Sequence, residues 1–194
     1  MRLGRISLFF ILCLGGCVTP SYIHLRQPTY LITTPEFFSG CGDDPRGPAV
    51  CKEERIAEVR NGVDDWFRHF DEPTRPQVVI VSSDQDVPSN IGNRPIYLAI
   101  IKGFCLKGRA ACYFFFTSFD PRPAMIFDSS DEIISSVVAH EFGHVLGRSI
   151  FHNDMPKDTE SIMSYSFGSL EVLPIDIKIL CKIHRECPPH EKDW

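Results

Sequence analysis

The chain has no basic run, no internal repeat and no low-complexity tract. With a formal net charge of −5 and a pI near 5.8, it lacks the electrostatic footprint of a nucleic-acid-binding protein. Without a repeat it is not a solenoid or propeller, and without biased segments it is not a disordered linker. The apolar run from Ile6 to Leu14 is too short to span a bilayer as a stable helix. What remains is a chain of 194 residues, long enough to bury the core of one domain, with 43% hydrophobic and 23% charged residues in ordinary globular balance.

The N-terminus points to export. Arg2 and Arg5 precede the apolar run, which ends in Gly15, Gly16 and Cys17, as in a secretory signal. Leu14-Gly15-Gly16-Cys17 resembles a bacterial lipobox, in which cleavage precedes the cysteine and that cysteine is lipidated. Residues 1–16 are then a lipoprotein signal peptide, and acylated Cys17 anchors the chain, since membrane affinity grows with each buried methylene. Val18 rather than Asp after the cysteine suggests the outer membrane of a two-membrane bacterial envelope, on its periplasmic or its outer face. Residues 17–28 read as a tether with two prolines and no periodic pattern, which leaves no room for a long propeptide.

Cysteine usage agrees with an oxidising compartment. Beyond Cys13 and Cys17, six cysteines fall into three close pairs, favouring Cys41–Cys51, Cys105–Cys112 and Cys181–Cys187 as disulfides. Cys41-Gly42-Asp43-Asp44-Pro45 also resembles, loosely, the zinc-blocking propeptide switch of matrix metalloproteases; the nearby Cys51 favours the disulfide instead.

Hydrophobic periodicity gives the element order. Tyr30–Thr34 suits a first strand. From Lys52 to Phe70 the residues Ile56, Val59, Val63, Trp66, Phe67 and Phe70 recur at offsets of three and four, which marks an amphipathic helix. Val78–Val81, Ile96–Ile101, Cys112–Phe116 and Ala124–Phe127 are apolar runs of strand length, of the kind expected when a strand is covered on both faces. Ser129 with Glu132 forms a candidate capping box for a helix whose Ile133, Ile134, Val137, Val138, Val145 and Leu146 make it apolar and central. A last helix is expected from Pro174 to about Arg185.

The chemistry concentrates in the run AHEFGHVLG. Spacing of i, i+4 puts His140 and His144 on one helical face, where two imidazoles can share one zinc ion. Glu141 stands beside them to take a proton from a zinc-bound water, and Gly147 can end the helix and turn the chain back. Such a motif arises by chance in some chains of this length, so its surroundings matter. Here they are Gly147, three residues after the second histidine, and Ser161-Ile162-Met163-Ser164-Tyr165 downstream.

Together these resemble the metzincin zinc peptidases, with their H-E-x-x-H-x-x-G-x-x-H motif and methionine-containing turn. The resemblance is strongest over 128–177 and elsewhere rests on element order. It implies an α+β fold for residues 29–194: a mostly parallel, twisted sheet of about five strands with an antiparallel edge strand, packed on two long helices, and a C-terminal helix after the Met-turn. It implies Zn2+ as cofactor, His140 and His144 as ligands, Glu141 as general base and Met163 as an apolar floor under the metal. Tyr165 matches the position where astacins and serralysins carry a zinc- or oxyanion-binding tyrosine; core packing is its other reading.

One ligand departs from the pattern. The third histidine of the motif falls on Ile150, which cannot bind zinc. His152 takes that role if the turn after Gly147 is two residues longer; otherwise it is a surface loop histidine. Asp154 and Asp158 are alternatives, and Glu171 would serve in a gluzincin-like arrangement. The resemblance further implies a peptide or protein substrate added as a strand along Tyr113–Phe116, a pocket near Ser166–Leu170 bounded by Phe167, and a monomer. The competing reading is a non-catalytic envelope lipoprotein that keeps this fold for binding or scaffolding.

Overall fold

A computed structural model of the chain describes residues 23–71, 75–105, 110–114, 123–147, 160–164, 169–184 and 187. Five strands, β1 (Thr29–Thr33), β2 (Val78–Val81), β3 (Ile96–Ile100), β4 (Ala111–Phe114) and β5 (Ala124–Phe127), form one sheet of order β2-β1-β3-β5-β4. All neighbours run parallel except β4, which pairs antiparallel with β5 at the edge. Among the described residues three α-helices accompany it: α1 (Pro48–Phe67), α2 (Ser135–Gly147) and α3 (Pro174–Ile183). The chain is therefore α+β, with a mostly parallel five-stranded sheet and an antiparallel edge.

Register sorts the strand residues onto two faces. Leu31 pairs with Ile96, Leu98 with Met125, and Phe127 with Ala111. All six are buried in the same core as Val59, Val63, Trp66 and Phe67 of α1 and Val138, Ala139, Phe142 and Leu146 of α2. On the opposite face Ile32, Ala99 and Ile126 are buried, while Tyr30, Tyr97 and Ala124 are half-buried. Unbroken apolar runs thus overstate the coverage. β2, apolar at every position, lies at the sheet edge and is half-buried throughout.

α1 begins four residues before the apolar pattern does. Gly47 at its N-cap takes φ 103°, a left-handed conformation that favours glycine, and Pro48 fills the first turn, where a missing N–H costs nothing. Its buried face then meets α2 along much of its length. Gly62 lies so close to α2 that a Cβ there would stand 2.5 Å from the Ser135 carbonyl and 2.6 Å from Val138 Cβ. One turn on, the Trp66 indole donates to the Ala139 carbonyl at 2.7 Å, and Phe67 packs edge-on against Phe142 with ring centroids 5.7 Å apart. Contacts advance together along both helices, so α1 and α2 run in the same direction.

The start of α2 differs from the sequence expectation. Ser130–Glu132 form a separate 3-10 turn, and the Ser129 side chain makes no capping hydrogen bond. The helix begins at Ser135, whose N–H donates to the Glu58 carboxylate of α1 at 2.7 Å. A side chain from another helix thus satisfies the first orphan donor. Ile134, expected on the apolar surface, precedes the helix and is 47% exposed.

Three disulfides close the expected pairs: Cys41–Cys51, Cys105–Cys112 and Cys181–Cys187, with Cα–Cα distances of 5.5, 5.7 and 5.3 Å. Cys41 is thereby bonded and is not a free thiol able to block a metal. No helix among the described residues is long and apolar enough to cross a membrane.

The Gly62 contact yields a prediction whose sign is diagnostic. In an exposed helix Gly→Ala stabilises by up to ~1 kcal/mol. Gly62→Ala should instead destabilise by about 1–3 kcal/mol, because the added methyl meets the backbone of α2. Urea unfolding of the two proteins checks this, and a stabilised variant would refute the close approach.

Candidate metal centre

α2 presents His140 and His144 one turn apart, with ring centroids 5.1 Å apart and planes crossing at 83°. The His140 ring is oriented from outside the helix. Its Nδ1 lies 2.7 Å from the Ile162 carbonyl oxygen. A carbonyl only accepts, so Nδ1 carries the hydrogen and the lone pair falls on Nε2. That is the tautomer in which an imidazole binds a metal through Nε2, with a second partner fixing the ring.

Glu141, next to His140 in the chain, is buried at 5% exposure, and Phe142 after it is fully buried. Gly143 sits between the two histidines in sequence and faces inward. A Cβ on Gly143 would stand 2.2 Å from Met163 Sδ and 2.7 Å from Trp66 Cζ2. Glycine is therefore required for the thioether and the indole to meet the helix at this level. Met163, fully buried, is packed directly on the turn that separates His140 from His144.

The segment carrying Ile162 and Met163 is held by Asp176, from the first turn of α3. Its carboxylate accepts from the Ser161 hydroxyl in a short hydrogen bond, from Ile162 N–H at 3.3 Å and from Leu173 N–H at 2.9 Å. Ser161 Oγ in turn accepts from Met163 N–H at 2.9 Å. Asp176 and Ser161 are both fully buried. A chain of contacts thus runs from α3 through Asp176 and the Ser161–Met163 turn to the imidazole of His140. Sequence reasoning missed Asp176. An acidic residue at the third position of a Pro-started helix signals a cap, and it does accept from Leu173 N–H; its grip on Ser161 and Ile162 depends on tertiary placement.

The remaining site residues divide between placed and undescribed. β4 stands at the sheet edge as expected, with Tyr113 half-buried against the core, while Phe115 and Phe116 lie outside the described residues. Glu171 is exposed and paired with Arg68 at 3.1 Å. It lines a surface depression with Asn61, Asp65, Arg68 and Ser135. Cys17, Ile150, His152, Asp154, Asp158, Tyr165 and Phe167 lie outside the described residues. Among the described residues no group of three or more His, Cys, Asp or Glu side chains is placed to hold a metal. Two imidazoles on one helical face are donors of a type that could hold a zinc ion. No protein-family model matches the chain, and no curated protein matches it.

Asp176 carries a pH signature. Burial raises its pKa above the ordinary 3.8, and the Ser161 hydroxyl and the N–H groups of Leu173, Ile162 and Met163 only partly offset this. A carboxyl raised in the folded state binds its proton more readily folded than unfolded. Its stabilising contribution is present below 3.8 and is lost as pH rises through the raised value. The unfolding free energy of the wild type relative to Asp176→Asn should therefore fall as pH is raised from 3.8 toward neutrality, in urea titrations at stepped pH. A difference that grows with pH would show that the hydrogen bonds outweigh burial.

Proposed function

We propose that this protein is a zinc-dependent metalloendopeptidase of metzincin type, lipid-anchored in a bacterial envelope. One arrangement carries the reading: the turn that contains Met163 packs beneath α2 at Gly143 and orients His140 through the Ile162 carbonyl. A buried methionine and a backbone acceptor from one turn, brought to the same face of an H-E-x-x-H helix, serve a metal centre; core packing alone has no need of the second.

His140 and His144 hold zinc through imidazole nitrogens, and His152, with Asp154 as the alternative, completes the set. When bound, zinc acidifies water and polarises the scissile carbonyl. Glu141 accepts the water proton and delivers it to the leaving amine. Its side chain is buried, which limits the motion of the carboxylate. Tyr165 donates to the developing oxyanion, and Met163 forms the apolar floor. The substrate is a peptide or protein segment that pairs along β4, whose outer edge has no strand neighbour among the described residues. Acylated Cys17 and the residues between it and Ile23 hold the domain at the membrane, since Ile23 and Leu25, expected in the tether, are buried in the core; the three disulfides suit that oxidising compartment.

Glu141→Gln should retain one zinc per chain and lower kcat about 10²–10⁴-fold, as expected for loss of a general base. His140→Ala should lose the metal. Zinc content by atomic absorption, with cleavage of an unfolded protein substrate before and after chelation, reads both. Undiminished cleavage by Glu141→Gln sinks the assignment, and a wild type that binds no zinc at neutral pH favours the scaffold reading. Separately, Cys17→Ala should move the protein from the membrane pellet to the soluble fraction of expressing cells; unchanged sedimentation would sink the anchor.

A further inference from the structure

The last described turn of α2 is met by a buried histidine. His184, 5% exposed, directs Nε2 to the Leu146 carbonyl oxygen at 2.8 Å. Leu146 belongs to the last described turn of α2, and the last carbonyls of a helix are met by groups from outside it. Because the partner is a carbonyl, Nε2 carries the hydrogen and His184 donates. The donor comes from outside the helix, from the residue that follows α3.

His184 is itself held on both sides of its backbone. Its N–H donates to the Leu180 carbonyl at 2.9 Å, and its carbonyl accepts from Cys187 N–H at 3.4 Å. The Cys181–Cys187 disulfide closes the loop that contains it, and both cysteines are buried in the core with Ile179, Leu180 and Leu146. The imidazole therefore projects from a covalently closed loop onto the turn of α2 that carries His144.

We propose that His184 is a positioning residue for the metal centre, and that the Cys181–Cys187 disulfide holds it in place. His144 lies two residues before Leu146, so fraying of this turn moves one ligand relative to the other. His140 is oriented by the Ser161–Met163 turn and does not share that support. The two ligands are thus secured by separate devices, one from each end of α3: Asp176 near its start and His184 just past its end. The effect on metal binding rests on the zinc reading above; the capping of α2 does not.

Two variants of the full chain separate the donor from the bulk of the ring. His184→Gln keeps an N–H near the Nε2 position, whereas His184→Leu keeps volume and removes the donor. Hydrogen exchange of the metal-free proteins, read on the peptide covering 140–147, should quicken at least several-fold in His184→Leu and stay near wild type in His184→Gln. Zinc affinity, by competition with a chromophoric chelator, should weaken about 10–100-fold in His184→Leu alone, the range for loss of an outer partner of a metal site. Cys181→Ala/Cys187→Ala should share the faster exchange of His184→Leu, and native exchange there overturns the role of the disulfide. Equal exchange in wild type and His184→Leu, or equal loss in Leu and Gln variants, overturns the positioning role. A wild type without zinc defeats the metalloenzyme reading, while the exchange measurement still decides the cap.

Discussion

The hydrogen bond from His140 Nδ1 to the Ile162 carbonyl is the contact on which the candidate centre depends. It selects a tautomer, fixes a ring plane and joins two segments far apart in sequence. None of this follows from the helix alone, which only places His140 and His144 on one side. The bond exists because the Ser161–Met163 turn is brought against α2, and that turn keeps its shape because Asp176 and Ser161 satisfy its buried donors. A buried carboxylate is a costly way to brace a turn, since desolvation opposes its charge. Its use at this position is consistent with a demand for geometry over stability.

Close approach of backbone to side chain makes room for that bracing. Gly62 lets α1 lie against α2, and Gly143 admits the Trp66 indole and the Met163 thioether to the level between the two histidines. The indole N–H finds the Ala139 carbonyl, so a large aromatic residue is buried without an orphaned donor. Both glycines stand inside helices, where each costs about 1 kcal/mol relative to alanine in intrinsic propensity. Tertiary packing repays that loss. The same packing supplies Glu58 as the acceptor for the first N–H of α2, in place of the local serine cap.

Much of the fold was legible in sequence, for reasons that differ between elements. β2 and β5 fall on the expected residues, and β1 and β3 differ by a residue at their ends, because short apolar runs bounded by polar or turn residues have few other solutions. The disulfides followed from the spacing of the six cysteines in three close pairs. The reading of Trp66 as core was right in burial and incomplete in function, since periodicity reports which face is covered and not what the face touches. α1 began earlier than its apolar pattern because Gly47 and Pro48 start a helix through backbone conformation. α2 began later than its capping signal because a local serine competes with a carboxylate delivered from another helix.

By itself the sequence determined which residues are chemically able to act. The imidazoles of His140 and His144, one turn apart, with Glu141 beside them and a methionine-bearing turn downstream, follow from residue type and the period of a helix. Only the tertiary structure decided how they are held: Ile162 as the acceptor for His140, Gly143 as the seat of Met163, Asp176 as the brace, and His184 as the donor at the end of the helix. The physical reason is one of range. Helical spacing is a local property written every few residues, whereas a hydrogen bond to a particular carbonyl needs two segments placed to within a few tenths of an ångström. That placement comes from the packing of the whole core.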